Sequence, residues 1–345
     1  MQDLRSLTIA QLQALCTELG WPRYTASQVF TWLWHRGIDD IQGMSNLSKE
    51  RRSLLGERYT VKRLELLRTI ADADGTTKFT FRLADGNAVE SVYIPDNDRR
   101  TVCVSTQVGC RLGCSFCFTG TLGFTRDLAW HEIAGQVLEV RSLNTHGSSL
   151  IAPVTNVVFM GMGEPFLNYE ATIEAARTMN SEQGMGIGAR RITISTSGIP
   201  DGIRAFTRLP QQFRLAVSLN AADDETRSGL MPVGLLHPLA EVVTAVREYA
   251  AAKSKRVTFE YVLVDGINNR DTDIRQLAAL LRGIPCKVNL IPLNPFPGCS
   301  LKAPSEQSLD TFARKLWPLV PAVTIRRSKG SRILAGCGQL AGLTE

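Results

Sequence analysis

Leu7, Ile9, Leu12, Leu15 and Leu19 recur at helical spacing, so the chain opens on an amphipathic helix that Gly20 can close in the left-handed conformation. A second helix is predicted to open at Thr25, with Gln28 three residues on as its capping-box partner, and to stop before Gly37. Trp21, Tyr24, Phe30, Trp32 and Trp34 crowd this stretch and read as a small core rather than as platforms for stacking bases. The period then changes. Phe79 and Phe81 alternate with polar neighbours, and Val89, Val92 and Ile94 follow a turn at Asp85-Gly86, the pattern of a hairpin. From residue 101 onward, short apolar strands are predicted at 101–105, 156–160, 191–195, 213–218, 257–263, 286–291 and 322–327. Helical patterns fall between most of them, at 127–143, 168–180, 237–252, 271–283 and 305–317. Repeated strand–helix units imply a parallel sheet with right-handed crossovers, either open or curled towards a barrel.

Composition changes this picture little. Hydrophobic residues make up 44% and charged residues 21% of 345, which excludes a disordered chain and a fibre. No apolar run reaches the length of a membrane span, and the first residues lack the basic-then-apolar order of a secretory signal. A cytoplasmic protein is expected. The net charge of +6 permits a polyanionic partner without demanding one. Residues 1–68 carry ten Lys or Arg against seven Asp or Glu, and the Arg51-Arg52 pair there suggests a phosphate-facing surface.

The eight cysteines carry more information. In a reducing compartment, crowded cysteines bind metal or do chemistry more often than they form structural disulfides. Cys110, Cys114 and Cys117 follow a Cys-x3-Cys-x2-Cys spacing, and three such thiolates can reach three irons of a cubane cluster, leaving the fourth open to another ligand. Gly109 and Gly113 suit a loop that wraps tightly around a metal centre. The rival reading is zinc, with His131 or Cys103 completing the ligand set. Cys16, Cys286 and Cys299 read as buried or incidental thiols. Gly161-Met162-Gly163-Glu164-Pro165 follows a predicted strand as a glycine turn that lets a ligand approach the backbone, and Ser195 and Ser218 sit at further strand ends.

The cysteine spacing, followed by strand–helix repeats, resembles the radical S-adenosylmethionine superfamily over about residues 100 to 330. The segments 89–95, 103–110, 289–296 and 335–340 together resemble, much more closely, the RlmN/Cfr family of radical RNA adenine methyltransferases, a likeness that spans nearly the whole chain. The resemblance implies an α/β protein built on a partial (β/α)6 barrel. A helical, RNA-binding accessory domain would occupy 1–70 and a β-hairpin connection 71–98. The radical core would follow at 99–330, and a C-terminal segment at 331–345 would carry the reacting cysteine. It also implies a 4Fe–4S cluster on Cys110, Cys114 and Cys117, with S-adenosylmethionine contacts from Gly163, Glu164, Ser195, Ser218, Leu219, Asn220 and Asn294.

Carbon 2 of adenine is electron-poor and does not attack a sulfonium methyl, so a radical must add to it. By resemblance, Cys337 takes a methyl from one S-adenosylmethionine, and a radical from a second removes a hydrogen from that methyl. Cys103 then forms a transient disulfide with Cys337 as the methyl group leaves, and Glu90 is the base that removes the ring proton. The implied substrates are an adenosine in 23S rRNA and one in tRNA, served by a monomer that an electron donor such as flavodoxin or ferredoxin reduces. Methylation of carbon 8 is the nearest alternative activity, and a metal-stapled RNA-binding protein without catalysis is the alternative class. Asn220 stands where many relatives carry histidine, which keeps a donor and an acceptor but removes a titrating group. The cations of Arg326-Arg327-Ser328-Lys329-Gly330-Ser331-Arg332 are expected to grip phosphates near the target nucleotide.

Overall fold

Burial of these apolar stripes builds a main core that runs from the amino-terminal helices into a large sheet, with a smaller cluster around Cys114 and Met231. The computed structural model describes residues 1–145 and 153–342, so the last three residues of the predicted segment 331–345 lie outside the described residues. β1 (Gln2–Asp3) leads into α1 (Ile9–Glu18), which starts at a capping box formed by Thr8 and Gln11 and ends at Gly20 with φ +66°. α2 (Tyr24–Phe30) continues into a π-helical turn over Thr31–His35. The predicted capping box at Thr25 and Gln28 is absent. Arg23 is the cap residue and makes no side-chain cap bond, while Thr25 is buried inside the first turn, where Arg51 donates to its hydroxyl at 3.5 Å. α3 (Lys49–Arg58) and β2 (Tyr59–Thr60) complete the module, β2 pairing in parallel with β1.

The aromatic residues of this module are a core only in part. Phe30 and Trp34 are buried, and Trp34 packs on Trp130 with ring centroids 5.3 Å apart. Trp21 and Trp32 are half-buried beneath the guanidinium groups of Arg51 and Arg36. Tyr24 is 60% exposed, because the first residue of α2 faces away from the core. Buried Arg5 donates to the carbonyls of Ile38 and Lys62 at 2.6 Å each, tying the module to the chain that leaves it.

β3 (Glu65–Ala71), β4 (Thr77–Arg82), β5 (Ala88–Asp96) and β6 (Arg99–Cys103) form an antiparallel meander, with the predicted turn at Asp85-Gly86 between β4 and β5. The meander is more than a hairpin: β3 adds a strand that the sequence did not reveal, since most of its residues are exposed. Thr77 to Phe81 are buried on both faces, so the expected polar side is covered as well.

After β6 the chain makes a small ribbon of β7 (Gln107–Gly109) and β8 (Phe124–Asp127) around α4 (Phe118–Thr121). It then alternates through α5 (Trp130–Thr145), β9 (Asn156–Phe159), α6 (Tyr169–Asn180), β10 (Ile192–Thr196), α7 (Pro200–Thr207), β11 (Arg214–Ser218), α8 (Asp224–Leu230), α9 (Leu239–Lys253), β12 (Val257–Leu263), α10 (Asp271–Leu280), β13 (Cys286–Pro292), α11 (Glu306–Leu316) and β14 (Val323–Ile325). The sheet order β14-β13-β12-β11-β10-β9-β6-β5-β4-β3 is parallel from β14 to β6, which gives six strand–helix crossovers. This is the partial (β/α)6 architecture, widened by the meander. The helices α7 and α8 were not predicted; at eight and seven residues they are too short to display a helical period. Among the described residues no helix is long and apolar enough to cross a membrane.

Candidate active site

A cavity opens at the carboxyl ends of the parallel strands. Met160 after β9, Ser195 on β10, Ser218 on β11, Glu260 on β12, Ile291 on β13 and Arg326 after β14 all line it. Six successive strands can face one cavity only if the sheet curves around it.

Cys110, Cys114 and Cys117 line the same cavity. Their loop is shaped by glycine where no other residue fits. Gly109 has φ +73°, and a Cβ there would stand 2.0 Å from the Gly123 carbonyl oxygen, which accepts the Cys110 N–H at 2.8 Å. A Cβ on Gly120 would fall 2.9 Å from the Cys114 backbone. Burial pushes the Cys110 thiol up to about 12, and it raises Cys114 and Cys117 too; for Cys110 and Cys114 the neighbouring thiolates add to the shift.

Three clustered thiols, Cys114 buried and the other two partly exposed, are a donor set that a cationic iron centre would hold as thiolates. Among the described residues, no three His, Cys, Asp or Glu side chains converge closely enough to hold a single metal ion. A mononuclear zinc needs such convergence, with Zn–S near ~2.3 Å, whereas thiolates on three different irons stand further apart. His131 packs edge-on against Trp130, and neither it nor Cys103 lines the cavity, so zinc lacks its expected fourth ligand. The residues fit the cluster.

The glycine turn after β9 is forced in the same way. Gly163 has φ +96°, and a Cβ there would meet the Gln107 side chain at 2.5 Å. The Glu164 carboxylate next to it accepts backbone N–H bonds from Phe166 (2.9 Å) and Ser197 (2.7 Å). Burial still holds the Glu164 carboxyl above its ordinary value. Gly163, Glu164, Ser195 and Ser218 all face the cavity.

The other expected cofactor contacts divide. Leu219 is fully buried, does not line the cavity, and gives its N–H to the Glu260 carbonyl at 3.0 Å. Asn220 lines the cavity, but its amide is occupied by the protein. Its Oδ1 accepts the Val262 N–H at 2.8 Å, its Nδ2 points to Met231 Sδ at 3.1 Å, and its backbone holds φ +58°. A left-handed backbone suits asparagine, so the residue reads as a turn-former here. Asn294 lines a smaller adjoining cavity shared with Cys117 and Cys337, donates to the Cys337 carbonyl at 3.0 Å and accepts from the Ser328 hydroxyl.

Cys337 lines both cavities. It keeps open surface towards them, yet the surrounding protein pushes its thiol up to about 11. Cys103, buried on β6, is pushed up to about 12, first by burial and then by the charge of Cys337, while Arg326 opposes the shift in both. Both are free thiols. Glu90 does not line the cavity. It is buried under the carboxyl-terminal tail, with Oε1 3.1 Å from Lys78 Nζ and Oε2 accepting the Ala341 N–H at 2.8 Å.

Two ionisable cavity residues were not assigned to the site from the sequence. Glu260 is a buried carboxyl, raised by desolvation, that accepts from Asn289 at 2.7 Å. Its signal was a lone charge within the apolar strand β12. Arg326 was grouped with the phosphate-gripping tail, but it turns into the cavity, with Nη1 3.6 Å from Met160 Sδ. The other tail cations are also engaged: Arg327 with Glu306 and Asp310, Lys329 with Asp96, and Arg332 with Asp72. The tail is a docked segment and not a free basic loop.

Comparison with known proteins gives the same outline. The sequence profile described as "Ribosomal RNA large subunit methyltransferase N-terminal domain" matches residues 2–61, and that of the "Radical SAM superfamily" matches residues 104–278. The chain is 41% identical over 340 residues to "Dual-specificity RNA methyltransferase RlmN" of Geotalea uraniireducens, covering 99% of this chain and 96% of that protein. It is 42% identical to the protein of the same name from Anaeromyxobacter dehalogenans, covering 98% and 91%. The crystal structure of a radical SAM methyltransferase from Sphaerobacter thermophilus superposes with a TM-score of 0.93 at 43% identity, covering 99% of this chain and all of that one.

Proposed function

The chain belongs to the RlmN family of radical S-adenosylmethionine RNA methyltransferases, and from that premise we propose that it methylates carbon 2 of one adenosine in 23S rRNA and of one in tRNA. The observation that carries this reading is the meeting of Cys337 with Cys110, Cys114 and Cys117 around one cavity. A methyl carrier is of use only where the methyl donor and the radical source are both in reach.

Cys110, Cys114 and Cys117 would hold a 4Fe–4S cluster, which supplies the electron that cleaves S-adenosylmethionine to a carbon radical. Gly163 and Glu164, with Ser195, Ser218 and Asn294, would seat the S-adenosylmethionine; Leu219 and Asn220 would shape the wall behind it. Cys337 would carry the methyl group, Cys103 would join it in a transient disulfide when the methyl is released, and Glu90 would take the ring proton. The target base must leave its stack to reach a cavity walled by strands.

In this reading residues 1–70 form an RNA-binding accessory domain, 71–98 connect it to the core at 99–330, and 331–345 deliver the methyl. The enzyme would act as a cytoplasmic monomer reduced by a flavodoxin or ferredoxin. The test is direct. RNA incubated anaerobically with iron-reconstituted protein, S-adenosylmethionine and reductant is digested to nucleosides and compared by mass spectrometry with carbon-2 and carbon-8 standards. Methyladenosine matching the carbon-2 standard is expected; a carbon-8 product or unmodified adenosine overturns the proposal.

A further inference from the structure

The register of the meander puts three groups on one face. Thr80 lies opposite Glu90 and Lys78 opposite Val92, so Lys78 and Glu90 are diagonal neighbours across β4 and β5. Val92 in turn lies opposite Cys103 on β6. The face that carries Glu90 and Cys103 therefore also carries Lys78, a lysine only 9% exposed.

A buried ammonium is costly unless it is paired, and Lys78 is paired with the proposed base and with the tail that follows it. Its Nζ stands 3.1 Å from Glu90 Oε1 and donates to the Leu334 carbonyl at 3.4 Å, at the start of the segment that bears Cys337. Leu334 holds φ +53°, a conformation that disfavours leucine and turns the chain at this point. The second Glu90 oxygen, Oε2, is covered by the Ala341 N–H at 2.8 Å. The Glu90 backbone is fixed as well, since Ser105 Oγ donates to its carbonyl at 2.6 Å.

We infer that Lys78 is a positioning residue for the methylation reaction: it holds Oε1 of Glu90, so that Oε2 is the oxygen free to accept the ring proton once the Ala341 N–H withdraws. The inference rests on the reading of Glu90 as the base. The step is a simple proton transfer. The proton on carbon 2 of the RNA adduct passes to Oε2, and the electron pair of the broken C–H bond stays in the ring. Lys78 neither gives nor takes a proton; its ammonium holds the Glu90 carboxyl in its aim, and its bond to Leu334 seats the tail on the same point.

The experiment compares K78M, K78R and E90Q in the full-length, iron-loaded enzyme with an RNA substrate. Iron content and the mass of the Cys337 peptide after methylation monitor the fold and the cofactor cavity. K78M is expected to keep both, to lower kcat for RNA methylation about 100-fold at an unchanged KM for RNA, and to accumulate a covalent protein–RNA adduct on denaturing gels. K78R is expected to restore most of kcat and to clear the adduct. A K78M enzyme that turns over at the wild-type rate while E90Q is inactive overturns the role of Lys78 and leaves Glu90 as the base. An E90Q enzyme that methylates normally removes the base itself, and the inference with it. Loss of iron loading in both K78M and K78R would assign Lys78 to folding, which also overturns it.

Discussion

The wall of the cavity and the tail that closes it are held by different forces. The wall is made of strands whose backbone groups pair along ladders, above a continuous apolar core. Its functional turns are fixed by glycines that admit no side chain, as at Gly109 and Gly163. The described part of the tail forms no strand. Beyond the burial of Ala335 and Leu340, it is pinned by single hydrogen bonds: Phe118 N–H to Gly338 O (2.7 Å), Thr119 Oγ1 to Leu340 O (2.6 Å), Gln339 Nε2 to Pro295 O (2.7 Å) and Ala341 N–H to Glu90 (2.8 Å). Each such bond contributes only about 1 kcal/mol net, because water can replace it. The division suits the proposed chemistry: the part that would seat the cofactor is braced by ladders and an apolar core, and the part that would carry the methyl is held by bonds that water can replace.

Separating the two regions by mutation should have the largest effect. Cys114→Ala is expected to abolish both 5′-deoxyadenosine production and RNA methylation, whereas Cys337→Ala abolishes methylation and leaves 5′-deoxyadenosine detectable by chromatography. If Cys337→Ala still methylates RNA, the tail is not the carrier and the comparison collapses. Cys103→Ala sharpens it next. The variant should form the bond to RNA but fail to break it, so protein and RNA migrate together on a denaturing gel; free methylated RNA at the normal rate would count against a disulfide step.

Gly163→Ala probes the rigid wall. Positive φ and a Cβ contact of 2.5 Å with Gln107 should cost about 1–3 kcal/mol of stability, read in a denaturant melt, with weaker S-adenosylmethionine binding. The smallest effect is expected in the tail. Thr119→Val removes one pin and should speed hydrogen exchange of the 335–341 amides about fivefold, the equivalent of ~1 kcal/mol, while exchange in the strands stays unchanged.

What the sequence revealed follows the same boundary. The proposed cluster ligands could be picked out because three cysteines sit within one loop and need no fold to bring them together. The parallel strands were legible as short apolar runs, since both faces of such a sheet are buried. β3 was not, because a largely exposed strand shows neither an apolar run nor a clean alternation. Glu260 and Arg326 meet only through the curvature of the sheet, and no local pattern joins them. Thr25 misled as a cap because tertiary packing buried it under Arg51. The pairing of Lys78 with Glu90 was within reach, since a turn at Asp85-Gly86 fixes the register that makes them neighbours.

One isotope experiment tests the central claim most directly. Enzyme first incubated with S-adenosylmethionine bearing a CD3 methyl, then freed of it, is given RNA, reductant and unlabelled S-adenosylmethionine for a single turnover. If Cys337 carries the methyl and loses one deuterium to the radical, the product adenosine carries a CHD2 group at carbon 2. A product with an intact CD3 group, or with no deuterium at all, would contradict the account.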